Sequence, residues 1–149
     1  MRPLALIGFA ALSLGFAPAP FPRSESTSDV NKAELRRLQG VWEVVRYQRE
    51  KLVRKDLGLR LTFAGSRMTW SYDGNVCTEW VITVHACASP KVFGQQAVPA
   101  GSRLPQESIY RLKGDFLEIC SPLDGLQTRP TSMEPSRGYV LYVLRRVRP

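Results

Sequence analysis

The side chains of this chain that could act as nucleophiles or bind a metal are few. The only histidine, His85, lies between Cys77 and Cys87, and a third cysteine, Cys120, stands apart. Zinc sites usually show closely spaced pairs such as CxxC or HxxxH, and neither spacing occurs here. The GxSxG motif of serine hydrolases and a Gly-rich phosphate loop are also absent from the sequence. The residues therefore predict a protein that is not an enzyme and holds no metal or cofactor.

The cysteines could instead form a disulfide if the chain reaches an oxidising compartment. The alternating run from Glu79 to His85 predicts an extended strand, which rises ~3.3 Å per residue. Such a strand would hold Cys77 and Cys87 beyond the ~7 Å that bridged Cα atoms allow. Pairing of Cys120 with either of them stays open, and the sequence does not fix the connectivity.

The N-terminal segment has the composition of a secretory signal. Its apolar run, Leu4 to Ala17, is shorter than the ~20 residues that span a bilayer. Ala17 and Ala19 fit the small-residue cleavage pattern, but Pro20 follows directly and disfavours cleavage there. The segment is therefore expected either to be removed or to remain as an anchor, on a protein exported to the periplasm or the cell exterior. We expect a signal peptide or anchor over residues 1–19, a Pro/Ser-rich linker over 20–28 and one folded domain over 29–149.

Beyond the linker, the hydrophobic pattern indicates one helix followed by strands. Asp29 is predicted to cap a short helix that Gly40 ends. Alternating apolar residues then predict strands near residues 42–47, 59–63, 68–72, 80–85, 109–112, 116–120 and 139–147. Residues 90–105 lack a clear period and are expected to form a long loop with at most one short strand. Several short strands joined by Gly- and Asp-containing turns predict a closed barrel or a sandwich.

The start and end of the chain favour one of these architectures. A helix followed by Gly40-Val41-Trp42 resembles the Gly-x-Trp signature of lipocalin-like barrels. The resemblance implies that Trp42 lies at the closed end of the barrel and that Arg145 or Arg146, from the last strand, packs over its ring. Such a cation–π contact contributes ~0.5–2 kcal/mol. We therefore expect an all-β fold, a lipocalin-like antiparallel up-and-down β-barrel with a short N-terminal helix.

Three segments carry a narrower resemblance. Leu38 to Trp42 fits the pattern LxGxW, residues 108–120 fit GIYxLxGDxLxIC, and Arg129-Pro130 fits a closing RP. This order is similar to that of a small exported domain family abundant in planctomycetes, which has no established activity. Ser108 stands where that family usually has Gly, and Phe93 stands in the place of an Asp. The resemblance implies structural roles for Gly40, Trp42, Tyr110, Gly114, Asp115, Cys120, Arg129 and Pro130, with Asp115 expected to make local hydrogen bonds in a hairpin turn.

The aromatic residues of the predicted strands are the candidates for ligand binding. In a small barrel such side chains more often fill the core than line a ligand site. An open cavity of ~300 Å³ or more would favour binding of an apolar or aromatic ligand, whereas a packed interior would favour interaction through the loops. These candidates are Trp70, Tyr72, Trp80, Tyr110 and Tyr142.

The charge balance suggests an anionic partner. The chain has 21 Lys+Arg against 13 Asp+Glu, a formal net charge of +8. Barrel proteins that bind nucleic acid interleave basic residues with exposed aromatic ones, but the aromatic residues here are predicted to face inward. Nucleic acid is therefore not expected, and peripheral contact with a membrane, through a basic rim or an uncleaved N-terminal segment, is preferred. The basic residues of the first predicted hairpin are Arg46, Arg49, Lys51, Arg54, Lys55 and Arg60.

These observations together predict an exported, non-enzymatic barrel that binds a small apolar ligand or a component of the cell envelope. The alternative is a protein-interaction module with a filled barrel, such as a protease inhibitor or an envelope-stabilising protein. An enzyme of unknown reaction is the third hypothesis.

Overall fold

A computed structural model of the chain describes residues 26–123 and 126–148. The predicted signal or anchor, residues 1–19, and most of the predicted linker lie outside the described residues. Within the described ranges, no helix has the length and apolar character needed to cross a membrane. The elements of this part are α1 (Thr27–Leu38), β1 (Gly40–Arg49), β2 (Leu52–Arg54), β3 (Leu59–Ala64), β4 (Arg67–Tyr72), β5 (Asn75–His85), β6 (Lys91–Val98), β7 (Gln106–Lys113), β8 (Phe116–Pro122) and β9 (Tyr139–Arg146).

The strands form a closed antiparallel barrel. From β3 to β9, each strand pairs with the next strand along the chain. Strand β1 pairs with both β3 and β9, which closes a barrel of eight strands and removes the open edges of the sheet. Strand β2 pairs with β1 and extends that hairpin beyond the barrel wall. The predicted all-β, lipocalin-like up-and-down barrel with one short helix is confirmed.

The helix begins earlier than the sequence predicted. Ser26, not Asp29, is the N-cap, and its hydroxyl oxygen accepts a hydrogen bond of 3.2 Å from the backbone N–H of Asp29. The Asp29 carboxylate accepts in turn from the Ser26 hydroxyl at 2.8 Å. Ser26 therefore caps the first turn, and the helix starts at Thr27, inside the range predicted as linker. The apolar face of the helix packs on the barrel core through Val30, Leu35 and Leu38.

The helix end and Trp42 close one end of the barrel. Trp42 is fully buried, and its indole N–H donates to the carbonyl oxygen of Leu38 at 2.8 Å. The guanidinium of Arg146 lies 4.1 Å from the centroid of the Trp42 ring. It also donates to the carbonyl oxygens of Gln39 and Arg37, each at 2.6 Å. One side chain of the last strand therefore covers the indole and satisfies two carbonyls at the helix C-terminus.

The neighbouring charged side chains of this closed end face solvent. Arg145 points to the opposite side of β9 from Arg146, and its guanidinium lies 3.4 Å from the Glu43 carboxylate on the surface. The predicted hairpin between β7 and β8 is present, with Gly114 at φ +56° in its turn. The Asp115 carboxylate in this turn pairs with the guanidinium of Arg148, and the Asp115 carbonyl oxygen accepts from the Arg146 N–H at 2.8 Å.

The barrel interior is packed in its lower half, next to the helix. Its walls alternate, so that every second residue of each strand points inward. The fully or almost fully buried inward side chains of this core include Trp42, Leu61, Phe63, Ile82, Phe93, Tyr110, Leu117 and Leu144.

A second, smaller core lies on the outer face of the barrel. Val92, Ile109 and Cys120 are buried there, with Met133 and Leu141 packed against them. The segment before β9 therefore covers the outside of β6, β7 and β8. Residues 90–105 contain one strand, as the prediction allowed, but β6 is eight residues long. The cover over Val92 explains why its pattern is unclear, because Val92 and Phe93 are buried on opposite faces and apolar and polar residues do not alternate.

Candidate functional site

The upper half of the barrel holds a pocket of about 270 Å³. It lies at the end opposite the helix, where β3 begins and β4 ends, and Met68, Phe93 and Ile119 of the core are among the residues that line it. The packed lower half therefore forms the floor, and the barrel walls form the sides. Concave sites of this kind, at the mouth of a barrel, are a common location for small ligands.

Three aromatic rings line the pocket, and we call them the aromatic wall: Trp70 of β4, Trp80 of β5 and Tyr142 of β9. The ring centroids of Trp70 and Tyr142 are 4.9 Å apart, with the ring planes tilted by 47°. Tyr47 of β1 is the cross-strand partner of Tyr142, and the two rings meet edge to face with their centroids 5.5 Å apart. Contacts of these geometries hold the rings in place, so the wall is preorganised. The structure thus places three of the five predicted aromatic residues at the pocket.

The other two predicted lining residues lie elsewhere. Tyr72, at the end of β4, is 53% exposed and belongs to the outer edge of the barrel mouth. Tyr110 points inward but lies deep in the packed half, with its ring centroid 5.3 Å from that of Phe93. Both predictions followed the alternation correctly, but alternation gives the face of a strand and not the height along the barrel axis.

A buried carboxylate lies beside Tyr110 at the closed end. Glu34 of the helix is 4% exposed and accepts from Lys91 at 2.7 Å and from Arg37 at 3.0 Å. The Tyr110 hydroxyl is buried without a partner in hydrogen-bonding geometry among the described residues. Burial, and secondarily the nearby carboxylate, raise the pKa of Tyr110 far above its ordinary value. This cluster ties the helix to β6 and lies outside the pocket.

Polar side chains line the pocket on the three strands between β5 and β9. Gln95 of β6, Gln106 of β7 and Ser121 of β8 line it, and Ser108 of β7 lies buried behind them; we call these four residues the polar strip. The Gln95 side-chain amide donates to the Ser108 hydroxyl, whose oxygen lies 2.8 Å from that of Ser121. These residues were not predicted from the sequence to line the pocket. The alternation along β7 could have indicated two of them, because Gln106 and Ser108 occupy the inward-facing positions that precede Tyr110.

The three cysteines are unpaired in the structure. Cys77 and Cys87 are exposed and lie toward opposite ends of β5, as the strand geometry predicted. Cys120 is buried in the outer core, where burial raises its pKa to about 11, so its thiol stays protonated at neutral pH. The sequence left the pairing of these cysteines open, and in the structure none of the three is in a disulfide.

Arg129 and Pro130, the closing dipeptide of the sequence pattern, lie outside the pocket. Pro130 is buried, and Arg129 pairs with Glu107 of β7 at 3.4 Å, so this dipeptide fixes the segment that covers the outer core. His85 is exposed at the closed end of β5, far from the pocket mouth. Across the described ranges, no three His, Cys, Asp or Glu side chains come together as they would around a metal ion.

The edge of the barrel mouth carries exposed apolar and basic side chains, and we call this surface the rim. A hydrogen bond of 3.2 Å from the Asp73 N–H to the Gly58 carbonyl oxygen joins the loop after β2 to the turn after β4. The apolar residues are between 45% and 67% exposed. They lie close to exposed basic residues of the β1–β2 hairpin. The acidic residues of the rim are fewer: Glu50, Asp56 and Asp73. The rim consists of Leu52, Val53, Tyr72 and Val76 with Arg46, Arg49, Lys51, Arg54 and Lys55.

The lining of the pocket combines aromatic rings with neutral polar groups. Its described lining residues include no carboxylate and no imidazole, while the Arg103 guanidinium and the Cys77 thiol lie toward its mouth. The aromatic wall can stack on a flat ligand, and the polar strip can exchange hydrogen bonds with it. In comparisons with protein-family models, with curated proteins and with solved structures, the chain matches none of them.

Proposed function

We propose that this protein is an exported, non-enzymatic binding protein that takes a small aromatic molecule into the open end of its barrel. The observation that carries the proposal is the pocket of about 270 Å³ between the aromatic wall and the polar strip. Aromatic rings that are already held in place lose little conformational entropy when a ligand stacks on them. The pocket is slightly smaller than the ~300 Å³ set as the criterion for an open cavity, so it is the aromatic and polar lining that favours this function over a filled barrel that acts only through its loops.

The volume limits the size of the ligand. At about 270 Å³ the pocket falls just short of the ~300 Å³ at which sites for drug-sized ligands begin. A cavity of about 150 Å³ is enough for benzene. A molecule of two fused rings is therefore the expected size, and the packed lower half leaves no room for a long acyl chain.

The first experiment looks for a natural ligand. Protein purified from its own source without denaturation is examined by native mass spectrometry, and a mass excess that disappears on unfolding is expected. The released compound identifies the ligand. If protein from the source carries nothing, 2-naphthol is titrated into it by calorimetry, with an expected Kd between about 10 μM and 1 mM for a ligand of this size.

A matched pair of variants locates the binding. Thr78 and Thr83 lie on opposite faces of β5, with Thr78 in the pocket and Thr83 exposed on the outer face. Thr78→Phe fills the pocket with a ring and should abolish 2-naphthol binding, whereas Thr83→Phe should leave it unchanged. Binding that survives in Thr78→Phe contradicts the proposed site.

Export is the second part of the proposal, and it is supported by the apolar N-terminal segment. N-terminal sequencing of the protein from cell fractions tests it. A mature chain that begins near Ala19 indicates a cleaved signal, and an intact Met1 in the membrane fraction indicates an anchor. Full-length protein in the cytosol contradicts export.

A second candidate function is contact with an anionic membrane surface through the rim. Exposed apolar side chains beside Lys and Arg are suited to such a surface, and each basic residue near it contributes ~1 kcal/mol. Binding to phosphatidylcholine vesicles that contain phosphatidylserine is expected, and the double variant Lys51→Glu/Arg54→Glu should lose it. Equal binding to vesicles without phosphatidylserine, or none to either, contradicts this candidate.

A further inference from the structure

The polar strip carries information about the ligand beyond its size. We infer that the bound molecule is an aromatic ring system that bears a hydroxyl group, so that it stacks on the aromatic wall and hydrogen-bonds to the polar strip. This inference rests on the proposed function, because it concerns the same pocket. It excludes pure hydrocarbons and long-chain lipids as the preferred ligands.

The argument begins with the cost of burying polar groups. Gln95 is 7% exposed and Ser108 is fully buried inside a barrel whose other inward side chains are mostly apolar. A buried amide or hydroxyl without hydrogen bonds is destabilising, so such groups are retained where they have partners. Ser108 is satisfied by its two neighbours, Gln95 and Ser121. The chain of hydrogen bonds therefore orients the two outer members toward the pocket.

Gln95 has one end of its amide engaged and one end available. Its amide nitrogen donates to Ser108, and among the described residues no group donates to its amide oxygen. Because the amide oxygen and nitrogen are assigned from hydrogen bonding, the amide could be turned over, and Ser108 would then donate to the oxygen. In either orientation one polar atom of Gln95 remains for a ligand, along with the Ser121 hydroxyl. A hydroxyl group fits both cases because it donates and accepts.

The arrangement of the pocket lining limits the orientation of such a ligand. The aromatic wall lies on β4, β5 and β9, and the polar strip lies on the consecutive strands β6, β7 and β8, between β5 and β9. A flat ring in the pocket can therefore stack on the aromatic wall while a substituent on its edge reaches the polar strip. An unsubstituted ring would displace water from the strip without replacing its hydrogen bonds, which weakens binding.

This inference has a test in which the hydrophobic effect alone predicts the opposite order. Naphthalene and 2-naphthol have the same ring system and differ by one hydroxyl, which water solvates well. If apolar burial decided affinity, naphthalene would bind more tightly. If the polar strip contributes hydrogen bonds, 2-naphthol should bind about 3- to 10-fold more tightly, the ratio expected for one or two net hydrogen bonds.

The experiment measures both dissociation constants by calorimetry for the full-length protein and two variants. Gln95→Leu removes the amide from the pocket, and Gln96→Leu makes the same change at the next residue of β6, which points away from the barrel interior. The preference for 2-naphthol should disappear in Gln95→Leu and persist in Gln96→Leu. Ser121→Ala, a smaller change, should reduce the preference and serves if Gln95→Leu fails to fold.

The outcomes separate this inference from the proposed function. A preference for 2-naphthol that Gln95→Leu or Ser121→Ala removes supports the inference. Equal or tighter binding of naphthalene, or a preference that both variants retain, overturns the inference and leaves the pocket as a binding site. If neither compound binds at millimolar concentration, the proposed function fails and the inference fails with it.

Discussion

Replacement of Arg146 by methionine tests the architecture of the closed end most sharply. Methionine keeps an unbranched apolar side chain over the Trp42 ring but removes the guanidinium. The change therefore deletes the cation–π contact at 4.1 Å and the two hydrogen bonds to the carbonyls of Gln39 and Arg37, while the barrel wall is left in place. The expected result is a large loss of stability from a residue that is only half-buried.

The magnitude follows from these contacts. A cation–π contact contributes ~0.5–2 kcal/mol, and each hydrogen bond from a charged group contributes ~1.5–3 kcal/mol. The carbonyl of Arg37 lies at the surface and that of Gln39 is partly buried, so both regain some hydration when the guanidinium is absent. We therefore expect Arg146→Met to lower the free energy of unfolding by about 2–4 kcal/mol, less than the full sum of these contributions.

The assay is urea unfolding followed by tryptophan fluorescence, and the adjacent arginine supplies the control. With an m-value of ~1–3 kcal/mol/M, the midpoint of Arg146→Met should fall by about 1–2 M. Arg145→Met removes an ion pair whose side chains are 58% and 40% exposed, and it should cost no more than ~0.5 kcal/mol. Arg146→Lys keeps the positive charge but not the planar guanidinium, so its free energy of unfolding should lie between those of the two methionine variants. The reasoning is refuted if the two methionine variants are equally stable.

Four further predictions concern the buried groups and the cysteines. Trp42→Ala should lower the free energy of unfolding by ~3–5 kcal/mol in the same urea assay, and an unchanged midpoint would contradict its place in the core. Tyr110→Phe should leave stability unchanged or raise it by up to ~1 kcal/mol, because no described residue lies in hydrogen-bonding geometry with its buried hydroxyl; a clear loss would show that the hydroxyl bonds to the nearby Glu34. The folded state holds the Cys120 proton more tightly than the unfolded state, with its pKa raised from 9.0 to about 11, so this residue's contribution is complete below pH 9 and is lost as the pH rises to 11. Urea titrations should show an alkaline decline of roughly 2–3 kcal/mol at most that Cys120→Ala lacks. In the native protein a thiol reagent should modify Cys77 and Cys87 quickly and Cys120 only after unfolding, and protection of the first two would indicate a disulfide.

Much of the barrel could be predicted from the sequence because its strands have one buried face. Alternation from Trp42 onward, and again from Leu59, Met68 and Trp80, records that asymmetry directly. Alternation does not reveal strand β6, because Val92 and Phe93, on opposite faces, are both buried. The cover over its outer face comes from a segment more than thirty residues later, and a local pattern cannot show such a contact.

The site could be predicted only in part for a related reason. The aromatic residues signalled an interior, but the position of the floor depends on how side chains from all eight strands fill the lower half. Tyr110 was therefore assigned to the lumen although it lies in the packed core. The polar strip was missed because Ser108 and Ser121 are unremarkable residues in sequence, and their hydrogen bonds join strands that only the closed fold brings together.

The central claim, that a small aromatic ligand binds in the open end of the barrel, is tested most directly by the indole N–H signals of the three tryptophans in a ¹H–¹⁵N NMR spectrum. Trp70 and Trp80 belong to the pocket, whereas the Trp42 indole is bonded to Leu38 at the closed end and serves as an internal control. On addition of 2-naphthol, the Trp70 and Trp80 signals should shift in a saturable way while the Trp42 signal stays in place. Equal shifts of all three signals, or a shift of Trp42 alone, would contradict binding in this pocket.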